Sequence, residues 1–345
     1  MRPLARLIGL FLALAVSSGV ASADPVAAPG YQVSSARLEG ARFAGLARDG
    51  GDLLVTDVAH GRLLHWTESR GFAPFGPVLP HGPDVIGDPT GPYAVLPQGD
   101  TYLVLQGWQP VDGSPSPYDH ALLAVDKAGA VDVLHDDFWN PFRMARAGGS
   151  LYVIDSARNS LEKRSADGHW TRVFAFPRLS RPESALAALS PTEFAGDTPY
   201  TFDAVPTGLA LRDEMIYVSL FGGFPFLEGA GRVVRLADTG NERTLEVVHE
   251  TLNAPVDLAF DEEGRLLVLE HGTYDPGTGF VAGSGRLLRF DSGRDPPTVL
   301  LDRLSRPTSV LVRGPGRMAV ADLTGALVLL TRDDTGRPAE EDGKR

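Results

Sequence analysis

The chain has 345 residues, is 43% hydrophobic, carries a net charge of −12 and contains no cysteine. That length can bury a large core in one all-β domain, and without cysteine neither disulfides nor thiol ligands contribute, so packing must hold the fold. An acidic surface lacking any basic stripe argues against nucleic acid and anionic lipid as partners, because both require clustered Lys and Arg against phosphate.

The first 23 residues have the three parts of an export signal. Arg2 and Arg6 are followed by an apolar run from Leu7 to Val16 and by Ala21-Ser22-Ala23 before Asp24. A run of about ten residues is too short for a bilayer, which needs about 20. The expectation is a mature protein starting near Asp24, periplasmic or extracellular, with no membrane span.

From there the chain repeats. Aligned second strands read LLVTD (53–57), YLVLQ (102–106), LYVID (151–155), IYVSL (216–220), LLVLE (266–270) and MAVAD (318–322), at steps of 49, 49, 65, 50 and 52 residues. A first strand precedes each one: FAGLA at 43, PYAVL at 92, PFRMA at 141, PTGLA at 206, PVDLA at 255 and PTSVL at 307. Third strands follow as RLLHW, ALLAV, SLEKR, RVVRL, RLLRF and ALVLL. The 39 glycines and 27 prolines sit between these runs and act as turn formers. Units of about 50 residues with four short strands predict a six-bladed β-propeller.

The last unit is one strand short, and Tyr31–Glu39 has strand character with no blade of its own. That N-terminal strand is expected to complete blade six and close the ring, removing two open edges. The organisation read from the sequence is a signal peptide (1–23), an all-β propeller (24–333) and a disordered charged tail (334–345).

Long segments fall on one rim, where first strands begin and second strands end. They are 107–120, 221–231, 271–285 and the extra length at 174–205, in which RPESALAAL predicts a helix of about two turns stopped at Ser190-Pro191. An elaborated face opposite a plain one marks the binding face. Polar residues near that rim are Asp57 with His60, Gln106, Asp155 with Asn159, Glu270 with His271, and Asp322. At the starts of first strands are Arg143, Thr207, Asp257 and Ser309. Two readings of the carboxylates stand together: a convergent polar site for a hard cation, or local capping of tight turns, which is favoured for Asp57, Asp155 and Asp322. His271 is the histidine singled out, since the chain has no HExxH spacing. Phe221-Gly-Gly-Phe-Pro-Phe226 supplies three aromatics, read as a plug over the channel mouth in preference to a stacking platform. Arg143, Thr207, Phe221, Phe224 and Phe226 are the expected ligand contacts. There is no GxSxG, CxxC or phosphate loop.

These residues resemble the ScyD/ScyE family of secreted propellers, most closely over residues 140–290. The similarity lies in Asn140-Pro141-Phe142, the turn Asp155–Leu161, VPTGLAL, YVSLFGGFPFLEGAGRVVRL and VDLAFDEEGRLLVLE. Ser156-Ala157-Arg158 departs from the family's small Ala-Gly-Gly. The resemblance implies a propeller and carries no settled activity.

The first functional expectation is therefore a secreted propeller binding a small molecule or protein partner on its loop-rich face. The alternative resembles the gluconolactonase and paraoxonase hydrolases, where a channel-bound Ca²⁺ polarises a carbonyl. Asp57, Asn159, Asp257 and Glu270 would be its ligands and His271 its base. A weaker alternative is a quinone-dependent sugar dehydrogenase, which PVDLAFDEEGRLLVLEHG faintly resembles.

Overall fold

Branched and aromatic runs separated by glycine turns form six antiparallel four-stranded units in the computed structural model. It describes residues 24–83, 87–107, 116–187, 189, 196–239, 242–291 and 296–333. The expected signal peptide and charged tail, most of the loop after the second strand of blade two, and Ser190-Pro191 lie outside the described residues.

The first strands are Phe43–Asp49, Pro92–Gln98, Pro141–Ala147, Pro206–Arg212, Pro255–Phe260 and Pro307–Gly314. Their partners are the second strands Asp52–Asp57, Thr101–Gln106, Ser150–Asp155, Met215–Leu220, Leu266–Glu270 and Arg317–Asp322. Each first strand packs against that of the next blade, and the sixth packs against the first, so the ring is closed. Between blades the second and third strands supply a dry core, with Leu54, Leu63, Val104 and Leu123 in one layer and Leu267, Leu287, Val320 and Val328 in another.

Closure comes from the N-terminus, as expected. Tyr31–Arg37 pairs antiparallel with Ala326–Arg332, from Tyr31 opposite Arg332 to Arg37 opposite Ala326. A second tie is new: Val26–Ala27 adds a short strand to the outer edge of blade five, opposite Asp302 and Leu301. Two residues are too few to carry a strand pattern, so nothing in their order announced it.

The rim where first strands begin carries three small hairpins. They pair Gly82–Pro83 with Pro89–Thr90, Leu179–Pro182 with Pro199–Phe202, and Tyr274–Asp275 with Gly279–Phe280. The two-turn helix expected in RPESALAAL is instead a single 3₁₀ turn, Glu183–Leu186. Leu186 is its sole buried residue, and one apolar anchor cannot offset the cost of nucleating a longer helix. Among the described residues no helix is long and apolar enough to cross a membrane.

Candidate functional site

One backbone hydrogen bond recurs in every blade and defines the channel mouth. The residue just past each second strand donates its N–H to the carbonyl of the residue before the first strand. The pairs are Val58 to Arg42, Gly107 to Gly91, Ser156 to Asn140, Phe221 to Val205, His271 to Ala254 and Leu323 to Arg306, at 2.8–3.1 Å. One step along the first strands lie Ala44, Tyr93, Phe142, Thr207, Val256 and Thr308. Eight residues from these two layers, Val58, His271, Leu323, Ala44, Tyr93, Phe142, Val256 and Thr308, line a cavity with Asp88 and Pro89. The centre of a water-sized sphere can move through about 40 Å³ of it, against the roughly 10–15 Å³ that admits one water. Tyr93 enters this space because blade two has glycine at the mouth position. A Cβ on Gly107 would run into the Tyr93 ring, with Cδ2 and Cζ at 2.7 Å.

This layering explains which expected site residues converge. Successive residues of a strand point to opposite faces, so when the residue after the strand faces the channel, the strand's last residue faces away. Asp57 accepts from the backbone of Arg42 and Ala59 and from His60 and Arg62. Asp155 accepts from the backbone of Trp139 and Asn140, and Asp322 from Thr324 and Ala326. Glu270 accepts from Asn253 N–H and Arg286. Gln106 donates to the Pro80 carbonyl, and Asn159 Oδ1 accepts the Val205 N–H at 2.8 Å. Of the four candidate metal ligands, only Asp257 reaches across the ring, to Arg143 of blade three, and the register shift between Pro255 and Asp257 is what releases it from the strict alternation that would turn it away from Val256. Among the described residues no three His, Asp or Glu side chains gather where they could hold an ion. The set does not fit Ca²⁺, which takes six to eight oxygens.

Asp257 belongs to a buried network below the cavity. Arg143 Nε stands 3.4 Å from Asp257 Oδ1, and its terminal nitrogens donate to Ser309 Oγ and the Thr308 carbonyl. Ser309 Oγ and Val310 N–H both donate to Asp257 Oδ2 at 2.9 Å. Burial raises the Asp257 pKa, opposed by Arg143 and by these hydrogen bonds. The network joins blades three, five and six across the axis. Arg143 thus meets Asp257 and Ser309 in a charged floor. Thr207 is tied to Ser219 Oγ and the Pro255 carbonyl.

His271 sits at the mouth, fully buried. Its Nδ1 lies 2.8 Å from the Pro307 carbonyl. A carbonyl can only accept, so Nδ1 carries the proton and Nε2 holds a lone pair. In other blades a hydroxyl bridges to the next blade in the same way: Ser156 Oγ to Pro206 O, Thr207 Oγ1 to Pro255 O and Thr308 Oγ1 to Phe43 O. Imidazole fills that scaffold role and still has a second nitrogen, which is buried without a hydrogen-bond partner. Burial lowers the His271 pKa to about 3, with Arg306 adding to the shift and the Pro307 bond opposing it. The ring is therefore neutral at ordinary pH. Phe280 packs edge-on against it at 4.6 Å and Phe221 at 5.7 Å. Phe221 and Phe226 are buried in this aromatic wall with Tyr274, while Phe224 is 52% exposed. Asp88, Tyr93 and Arg306 were not singled out from the sequence. Tyr93 was accessible from the register of PYAVL against PFRMA, whereas Asp88 lies in a connection with no repeat to place it.

Fold and site together define a six-bladed propeller with a small cavity at one mouth of its channel, a charged floor, and one neutral histidine nitrogen directed inward. No family model matches the chain, and no curated relative does. Solved propellers share the fold. A Xanthomonas campestris gluconolactonase superposes with a TM-score of 0.58 at 14% identity, covering 88% of this chain and 90% of that one. Virginiamycin B lyase from Staphylococcus aureus gives 0.52 at 11%, covering 87% and 99%. A catalytically inactive histidine-to-alanine form of that lyase, with quinupristin, gives 0.51 at 11%, covering 87% and 99%.

Proposed function

We propose that this chain is an exported, ScyD/ScyE-like propeller that takes a small, largely apolar molecule into the channel mouth, where His271 Nε2 accepts its hydrogen bond. The observation that carries this is the lone pair of a fully buried, neutral imidazole left without a partner beside a cavity walled by Tyr93, Phe142 and Val256. An unmet buried acceptor costs about 1–3 kcal/mol; a ligand donor would remove that cost, and apolar walls would favour the ligand's body.

Catalysis is the second reading, and magnitude decides against putting it first. A general base works best with a pKa near the working pH. A nitrogen near pKa 3 is a serviceable acceptor and a poor base. The calcium-hydrolase alternative has lost three of its four proposed ligands to neighbours outside the channel. The similarity to gluconolactonase and to the lyase supports the propeller fold and nothing finer.

The test is NMR of histidine-labelled mature protein against a panel of small neutral and anionic molecules. Binding should move the His271 Nε2 signal and raise the unfolding midpoint by mass action. A panel that leaves His271 unmoved defeats the reading. Calorimetric unfolding with EDTA and then Ca²⁺ separates the alternative, and the midpoint is expected to stay within about 1 °C.

A further inference from the structure

Donors at the mouth are already spent. The six backbone N–H groups that ring it, those of Val58, Gly107, Ser156, Phe221, His271 and Leu323, each serve a carbonyl of their own blade. The Thr308 hydroxyl has one proton and two carbonyls competing for it, Phe43 O at 2.8 Å and Ala321 O at 3.1 Å. The proton on His271 Nδ1 is held by the Pro307 carbonyl at 2.8 Å.

What the polar wall offers a guest is therefore acceptors. His271 Nε2 is a buried lone pair without a partner. Thr308 Oγ1 keeps only lone pairs for a guest, and an ionised Asp88 carboxylate has nothing to donate. All three residues line the cavity. Tyr93, on the same wall, is the one lining side chain whose hydroxyl can give as well as take. A carbonyl or carboxylate guest would set lone pair against lone pair at His271. Unpaired polar atoms of that kind are what a buried site rejects most strongly.

Charge narrows the class further. Arg306 stands 3.6 Å from Asp88, so the carboxylate on the wall already has its counter-charge. The other lining residues, Phe142, Val256 and Leu323 among them, are apolar. A guest of either sign would bring an unbalanced charge against those walls, at a much greater desolvation cost than a neutral donor.

We infer that the cavity takes a small neutral alcohol in preference to the matching ketone, ammonium ion or carboxylate. Its hydroxyl donates to His271 Nε2, and its alkyl body lies against Tyr93, Phe142 and Val256. The inference rests on reading the mouth as a binding site and adds the ligand's chemical class.

The experiment is calorimetric titration of the mature chain, with His271 followed by NMR, using butan-2-ol, butan-2-one, sec-butylammonium and butyrate. The alcohol is expected to move the His271 Nε2 signal and to bind about tenfold or more tightly than each of the other three. His271→Phe keeps a ring against Phe280 and removes the acceptor, so alcohol and ketone should then bind within about twofold of each other. The wild-type ranking keeps the test decisive if that variant fails to fold. A ketone that equals the alcohol overturns the donor assignment, and an ammonium ion or carboxylate that equals it overturns the neutral class. In those cases the cavity still binds, and only the ligand class is lost. If none of the four moves His271, the binding reading falls as well.

Discussion

Replacing His271 with glutamine should flatten the acid side of the stability curve. In the unfolded chain the imidazole titrates near its ordinary value of about 6.5, whereas in the native protein burial holds it at about 3. Above pH 6.5 or so the ring is neutral in both states. As pH falls below that value the unfolded chain takes up a proton that the native chain refuses, so stability drops until the native value is reached. Linkage puts the loss at about 2 kcal/mol by pH 5 and about 3 kcal/mol by pH 4, relative to pH 8. His135 and His249, also lowered chiefly by burial, act with the same sign. Asp155, Asp257 and Asp322, all raised chiefly by burial, act with the opposite sign. All five are shared by wild type and variant and cancel in the difference. Glutamine keeps an N–H for the Pro307 carbonyl and brings no titrating group. Urea unfolding at pH 8 and pH 5 should therefore show wild type losing about 2 kcal/mol more than His271→Gln. Curves that stay parallel to within about 0.5 kcal/mol would show that the ring is solvated or already paired.

Three further outcomes follow from the packing. Arg143→Met removes the cation over a buried carboxylate and should cost about 3–5 kcal/mol, most of it regained in Arg143→Met/Asp257→Leu. Denaturant titrations read both, and a double variant no more stable than the single would refute the network. Removing residues 24–38 strips the closing strand from Ala326–Arg332 and leaves the buried Leu327, Val328 and Leu330 on an open edge. The shortened chain should melt lower and self-associate, and light scattering that reports an unchanged monomer of unchanged midpoint would count against closure by that strand. Gly107→Ala forces the Tyr93 ring out of its place at the mouth and should cost about 1–3 kcal/mol. A Tyr93 ring signal at the wild-type position would mean the ring is not held over Gly107.

How far the sequence led can be judged from individual positions. The six second strands, the N-terminal strand completing blade six and the loop-rich rim were legible because each leaves a local mark. A 50-residue period, strand-forming runs between glycine turns and a final unit short of a strand all survive in linear order. The two-turn helix expected in RPESALAAL (181–189) is a single 3₁₀ turn because propensity is a weak prior for a segment with one apolar anchor. The carboxylates bond locally, as the capping reading of Asp57, Asp155 and Asp322 held, for a geometric reason. Asp57 and Glu270 end their strands and turn from the axis, while Val58 and His271, one residue later, turn toward it. That pleat register flips every side chain at a single step, and only paired strands in three dimensions reveal it.

By itself, then, the order of residues determined the blade count, the direction of ring closure and which rim is elaborated, since these follow from periodicity and turn chemistry along the chain. Tertiary structure alone decided that Arg143 meets Asp257, that Asp88 approaches Arg306, and that the His271 nitrogen opens into a cavity. Those partners lie 114, 218 and up to 227 residues apart, and closing a ring brings them together through packing that no local pattern encodes.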